Sequence, residues 1–380
     1  MMILNNKLAF FALLRAGLWG QDIRLFQLDK VDFSEVMKIA EEQSVVGLIT
    51  EGLEHVTDAK IPQQALLQFI GSTLQIEQHN KAMNEFVADL INLLRNNDIY
   101  AILVKGQGIA QCYEKPLWRS SGDIDLLLSD SNYEKAKKVL FPLASNIEKE
   151  YCFFKHQGMT IHGFEVELHG TQHSRLSRRV DRMIDEVQKD VFFNGNVRSV
   201  EFKSSSGSRV QVFLPAPHED VIFVFTHILH HFFFEGIGLR QLCDWCRLLW
   251  TYNNSLNHGL LESRLRKAGL ITEWKAFAAF AVEYLGMPVE ALPLYNENDS
   301  QNKIMKRQAK KICDFIMEVG NFGHNQRRDY SGQPYLLRKF KSSFNRLSDM
   351  LRHFSLFPKD SVVFFGGVLK SGLHAALRGE

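Results

Sequence analysis

Two aspartates one residue apart, Asp123 and Asp125, stand in the stretch RSSGDIDLLLSD, residues 119–130. Successive side chains of a strand alternate faces, so both carboxylates point one way while Ile124 and Leu126 point into a core. Two carboxylates held at that spacing repel each other unless a cation sits between them. Mg²⁺ suits the position, because it takes carboxylate oxygens together with substrate phosphates. A polar strand end with two solvated carboxylates would show the same pattern, so the pair needs company before it means chemistry.

The company comes from two other segments. In FEVELHG, residues 164–170, Glu165, Glu167 and His169 share one strand face and Val166 and Leu168 the other. A third carboxylate would complete a two-metal site, in which ions about 4 Å apart clamp the attacking and leaving oxygens of a phosphoryl displacement. An antiparallel strand with one wet face is the plainer reading of the same residues. In VKGQGIA, residues 104–110, two glycines join a strand to a helix. Glycine lets backbone approach a phosphate closely, and a helix start attracts anions. Lys105 adds a point charge.

These segments fall where the apolar period changes. Residues 1–97 read as helical, with apolar residues at three- and four-residue steps and a long helix opening at Pro62. MMILNNKLAFFALLRAGLWG reads as an amphipathic helix and not a signal peptide, since its apolar stretch is short and Arg15 follows closely. Between residues 98 and 215 strands and helices mix. YAILVKG and DIDLLLS read as strands, GIAQCYEK and SNYEKAKKVLF as helices. EYCFFKHQGMTIHGFEVELHG reads as two strands turning at Gln157-Gly158, and VRSVEFKSSSGSRVQVFL as a hairpin. Residues 216–380 are again mostly helical.

The 380 residues are 45% apolar and 23% charged, with a net charge of +2, which fits a folded protein of two or three units and names no partner. Five scattered cysteines, Cys112, Cys152, Cys243, Cys246 and Cys313, argue against a disulfide framework and for a cytoplasmic setting. No run of about 18 uncharged apolar residues would span a membrane. His227 and His231 share a helix face, and with His230 and Asp244 they offer a metal phosphohydrolase as a rival reading. Cys243 and Cys246 lie within a helical pattern and read as core. Residues 303–352 carry twelve Lys or Arg against four acids, an excess of +8, with Tyr330, Tyr335, Phe340 and Phe344 interleaved. Such a stretch would suit RNA or another polyanion, through phosphate contacts and stacking; a solvated helix face is the plainer alternative.

Taken in order, the glycine segment, the D-x-D strand and the third acidic strand resemble the polymerase-β-like nucleotidyltransferase superfamily. More narrowly the chain resembles a bacterial family of uncharacterised nucleotidyltransferases. That family's K-G, R-x-x-G-D-I-D-L-L and V-E-L-H segments read here as Lys105-Gly106, Arg119 to Leu127 and Val166 to His169. Its early helix and its later H…LRxLCD segment read as LLRAGLWG and as His230 with Leu239 to Asp244. The superfamily's usual Gly-Ser or Gly-Gly is Gly106-Gln107 here.

The resemblance implies an α+β fold, a small mixed-sheet core at 98–215 flanked by helical regions at 1–97 and 216–380. It implies transfer of a nucleoside monophosphate from an NTP to an acceptor, with release of pyrophosphate. Asp123 and Asp125 would then hold two Mg²⁺ ions, and Glu167, favoured over Glu165, would hold the one that activates the acceptor hydroxyl. Lys105, Gly106, Gln107, Arg119, Ser121 and Gly122 would meet the triphosphate. The acceptor, whether protein, RNA, sugar or small molecule, is not legible. A non-catalytic nucleotide-binding scaffold on the same fold is the alternative from another class.

Overall fold

The computed structural model describes residues 2–320, apart from 27, 29–30, 152–154 and 299–301, and residues 353–366, apart from 360 and 365. The chain opens with four helices, α1 (Met2–Trp19), α2 (Phe33–Glu42), α3 (Val46–Glu54) and α4 (Gln63–Arg95). The mixed segment follows: β1 (Ala101–Val104), α5 (Gly106–Ala110), β2 (Asp123–Leu128), α6 (Asp130–Leu140), β3 (Asn146–Ile147), β4 (His156–Ile161), β5 (Phe164–His169), α7 (Arg178–Phe193), β6 (Val197–Lys203) and β7 (Arg209–Pro215). Helices α8 (Pro217–Phe234), α9 (Leu239–Tyr252), α10 (His258–Ala268), α11 (Ile271–Leu285) and α12 (Asn302–Val319) then follow.

The class is α+β. Five strands form a mixed sheet in the order β1-β2-β5-β4-β3, and β6 and β7 form a separate hairpin. Only the central pair, β2 and β5, runs parallel. Their register aligns Asp123 with Glu165 and Asp125 with Glu167. One face of the pair is apolar. Ile124, Leu126, Leu128, Val166 and Leu168 are buried there against Met83, Val87, Leu90, Ile91 and Leu94 of α4 and Val210, Val212 and Leu214 of β7. Burying each such side chain stabilises the fold by roughly 1.5–3 kcal/mol, so the sheet has one energetically preferred way up. That preference turns Asp123 and Asp125 to the opposite face.

Helices from both ends of the chain share the second core. Phe10, Leu13 and Ile49 pack in one cluster with Phe225, Trp245 and Phe277. Close backbone contact fixes α3 to the loop ahead of β2. A Cβ on Gly47 would stand 2.0 Å from the carbonyl oxygen of Trp118, a contact only glycine permits.

Four local expectations need correction. The strand turn lies at His162-Gly163, both at positive φ (51° and 83°), and not at Gln157-Gly158. Gly158 lies within β4, where its missing Cβ leaves room for the Glu148 side chain. Helix α1 is not amphipathic: of Asn5 to Trp19 only Leu8 is exposed, because the helix is packed among α2, α3 and α11. Helix α5 is a single turn ending at Ala110, well short of Lys115. Helix α7 is an addition to the expected elements. Ser177 caps it by accepting from the Val180 N–H, and Val180, Ile184, Val187 and Val191 form its buried stripe.

No helix among the described residues is long and apolar enough to cross a membrane. Of the basic stretch, Lys303, Lys306, Arg307 and Lys310 lie on the exposed side of α12. Residues 321–352, with Tyr330, Tyr335, Phe340 and Phe344, lie outside the described residues, as does Cys152.

Candidate active site

The register of β2 and β5 does the first work. Asp123, Asp125 and Glu167 each offer a carboxylate oxygen, and these oxygens lie within 4.8 Å of one another. Glu165 is on the same face but exposed, and Thr160 donates to it at 2.8 Å. Exposure and convergence thus separate two glutamates that alternation alone leaves equivalent.

The basic groups around the acids are arranged unevenly. Lys105 Nζ lies 2.8 Å from Asp125 Oδ1. A carboxylate only accepts, so His169 carries its proton on Nε2 and donates to Asp125 Oδ1 at 2.7 Å. Burial would push the Asp125 carboxyl up, but Lys105 and His169 together hold it below its ordinary value. The neighbouring Asp125 charge, with burial, pushes Asp123 up. Burial works against Glu167 too, and hydrogen bonds from His156 and His169 outweigh it, leaving this carboxyl well below the usual range. Lys105 and His169 are raised in turn, the attraction of the carboxylates exceeding the cost of burial. Lys105 reaches this place from a strained backbone, at φ 58° and ψ −145°, and Gly106 follows at φ 36°.

Arg119 is locked in place. Its Nε and Nη2 donate to the two oxygens of Asp244, at 3.0 and 2.6 Å. Tyr113 also donates to Asp244 Oδ1, at 2.8 Å. The remaining Nη1 donates to Ser121 Oγ at 3.1 Å and to the Ser120 carbonyl at 3.0 Å. Asp244 belongs to α9, so this ion pair ties the carboxylate strand to the C-terminal helices.

A cavity of about 480 Å³ opens over the acids. Of the sequence-derived candidates, Lys105, Gly106, Arg119, Asp123, Asp125 and Glu167 line it. Gln107 does not. It is buried, and its side chain donates to Asn80 Oδ1 at 3.0 Å. Ser121 and Gly122 lie at its edge in sequence but not on its wall; a Cβ on Gly122 would meet nothing within 4 Å. Among the lining residues to which the sequence alone gives no role are Arg240 and His156. Arg240, next to Leu239 in the LRQLCD segment, donates to the Ser120 carbonyl at 3.1 Å. His156 stands opposite His169 in the β4–β5 register.

The histidines of α8 line the same cavity but gather no metal set. His230 Nδ1 donates to the Ser174 carbonyl at 2.7 Å, and His231 Nδ1 lies 2.9 Å from Glu235. Burial, and then the Lys105 charge, push His227 well below its ordinary value, so it is neutral. Among the described residues none of them joins a group placed to hold an ion, and Asp244 is taken by Arg119 and Tyr113. Cys243 and Cys246 are fully buried thiols whose pKa burial raises, which fits core packing.

The acidic group suits a divalent ion by its donor chemistry. Three carboxylates converge on a face where Lys105 is the nearest fixed cation, and hard cations take such oxygens. No curated protein and no solved structure matches the chain. A family model does: the one described as an uncharacterised nucleotidyltransferase matches residues 29–286, from the helices ahead of the sheet to the end of α11. The chain belongs to that family of nucleotidyltransferases.

Proposed function

We propose that the protein transfers a nucleoside monophosphate from an NTP to an acceptor hydroxyl, releasing pyrophosphate, in a Mg²⁺-dependent reaction. The observation that carries this reading is the convergence of Asp123, Asp125 and Glu167 at one cavity wall with Lys105, Arg119 and Arg240 beside them. Carboxylates and basic side chains side by side on one cavity wall suit a metal-bound polyphosphate, whose charge both sets must balance.

Asp123 and Asp125 would hold the ions, and Glu167 would complete the set for the one that activates the acceptor hydroxyl. Bound divalent ions supply neutralisation of the phosphoryl oxygens and a lowered pKa for the attacking hydroxyl. The chain's own contribution is positioning and fixed charge, the main source of rate in phosphoryl transfer. Lys105 offers a point charge at the phosphates. Arg119, held by Asp244, presents its guanidinium without needing to reorganise. Arg240 extends the basic wall, and Ser121 and Gly122 keep the approach open. The Gln107 side chain is engaged by Asn80, so its contact with the triphosphate falls to its backbone.

The test uses the purified chain with Mg²⁺, each labelled NTP in turn, and a cell lysate as the source of acceptor. Label should move to a component of the lysate with release of pyrophosphate, and Asp123→Asn should show neither. Absence of both products with all four NTPs would overturn the proposal.

A further inference from the structure

Glu167 belongs to two clusters. Besides the set with Asp123 and Asp125, its carboxylate oxygen, His156 and His169 offer ligand atoms within 4.8 Å of one another. His156 Nε2 lies 3.1 Å from Glu167 Oε2, and His169 Nε2 lies 3.3 Å from the same oxygen. The two rings are cross-strand partners on β4 and β5, stacked 4.9 Å apart with planes 18° from parallel. Stacking and register together aim both ring nitrogens at one carboxylate oxygen. Both histidines also line the cavity.

Oxygen donors alone would suit Mg²⁺, which accepts imidazole poorly. Two imidazoles beside a carboxylate form a mixed nitrogen and oxygen set, which suits first-row transition ions. We propose that His156 and His169 are direct ligands, with Glu167, of one of the two ions, so that this position takes Mn²⁺ or a similar transition ion in preference to Mg²⁺. This rests on the reading of the carboxylates as a metal site and specifies one half of it. The other position, between Asp123 and Asp125, keeps an all-oxygen set. Binding replaces the Nε2 proton of His169 by the ion, and that proton leaves to solvent.

The experiment titrates Mn²⁺ into the metal-free, full-length protein and records pulsed paramagnetic resonance of the bound ion. Directly bound imidazoles give strong ¹⁴N couplings, and the unsubstituted protein should show them in full. His156→Gln and His169→Gln should each remove part of the coupling. Each should weaken Mn²⁺ binding by at least ~10-fold, the lower bound seen even when a ligand loses only its hydrogen-bonding partner. Mg²⁺ binding should change by less than ~3-fold, because its position keeps its oxygens. Mn²⁺ bound without ¹⁴N coupling, or an unchanged ratio of Mn²⁺ to Mg²⁺ affinity in both variants, would overturn the proposal. In either case loss of binding in Asp125→Asn would leave the carboxylate site standing. Failure of any divalent ion to bind would remove both readings.

Discussion

Lys105 Nζ stands 2.8 Å from Asp125 Oδ1, while Asp123, two residues earlier on the same face, has no ion-pair partner among the described residues and feels Asp125 as a like charge. The two aspartates therefore differ in what they do for the fold. Asp125 is buried and balanced by Lys105 and His169; Asp123 is the less compensated member of the pair, with Lys105 and Arg240 acting on it only from a distance.

Asp125→Asn and Asp123→Asn should separate in stability though not in activity. Both should lower transfer on the order of 10³-fold, as loss of fixed charge stabilisation does elsewhere. In chelator, Asp125→Asn should cost about 3–5 kcal/mol, because it removes the buried carboxylate that both Lys105 and His169 contact. Asp123→Asn should stay within ~1 kcal/mol of the parent or exceed it, since it removes a repulsion. Urea unfolding in chelator measures both. Equal losses would mean that Lys105 does not distinguish the two.

Glu167→Gln should lower turnover by at least ~10²-fold, whereas Glu165→Gln should stay within ~3-fold, as befits an exposed side chain outside the acidic group. Steady-state rates at saturating NTP decide it. A larger loss for Glu165→Gln would overturn the assignment that the strand register supports.

That choice shows what the sequence can and cannot say. Period-two alternation identifies the carboxylate face of β2 and β5, because Ile124, Leu126, Val166 and Leu168 mark the other side. Alternation cannot rank Glu165 against Glu167, since both lie on one face; the V-E-L-H resemblance favours Glu167, and the fold agrees by gathering Glu167 with Asp123 and Asp125 while Glu165 is exposed and bound to Thr160. The partner of Arg119 is equally hidden, because Asp244 lies 125 residues away and nothing local announces it. His156 is missed for a related reason: with the turn expected at Gln157-Gly158, it cannot be paired with His169. Helix α7 was available to a closer reading, since Ser177 and the valine and isoleucine spacing after it are ordinary helix signals.

The Arg119–Asp244 pair should behave as a buried lock between the sheet and α9. Asp244→Asn leaves the guanidinium uncompensated and should cost about 3–5 kcal/mol. Changing Arg119→Met, Asp244→Leu and Tyr113→Phe together removes every charge and hydroxyl of the lock and should restore most of that stability, because apolar groups of similar volume replace a buried ion pair at little cost. Transfer should remain low in the triple variant, since Arg119 no longer faces the cavity. Denaturant midpoints for the single and triple variants, read beside turnover, test this. If the triple variant is no more stable than Asp244→Asn, the pair contributes more than charge balance.

A last prediction concerns a carboxyl outside the site. Glu51 on α3 is buried, and burial is the main reason its pKa rises from 4.5 to about 7; Lys115 and Arg247 oppose the shift without cancelling it. The folded protein therefore holds this proton more tightly than the unfolded chain does. Folding stability from this group is full below about pH 4.5 and falls as pH rises towards 7, where the folded state must either ionise a buried carboxyl or keep a proton that the unfolded chain has given up. The direction is opposite to that of an ion-paired acid, which stabilises above its unfolded pKa. Glu51→Gln removes the ionisation and keeps the shape. Its melting temperature should match the parent near pH 4 and exceed it at pH 8, and the difference should grow between those limits. Other carboxylates titrate in both proteins and cancel in the comparison. A difference that stays constant with pH, or a variant that melts lower at pH 8, would show that Glu51 is charged in the fold and held by Lys115.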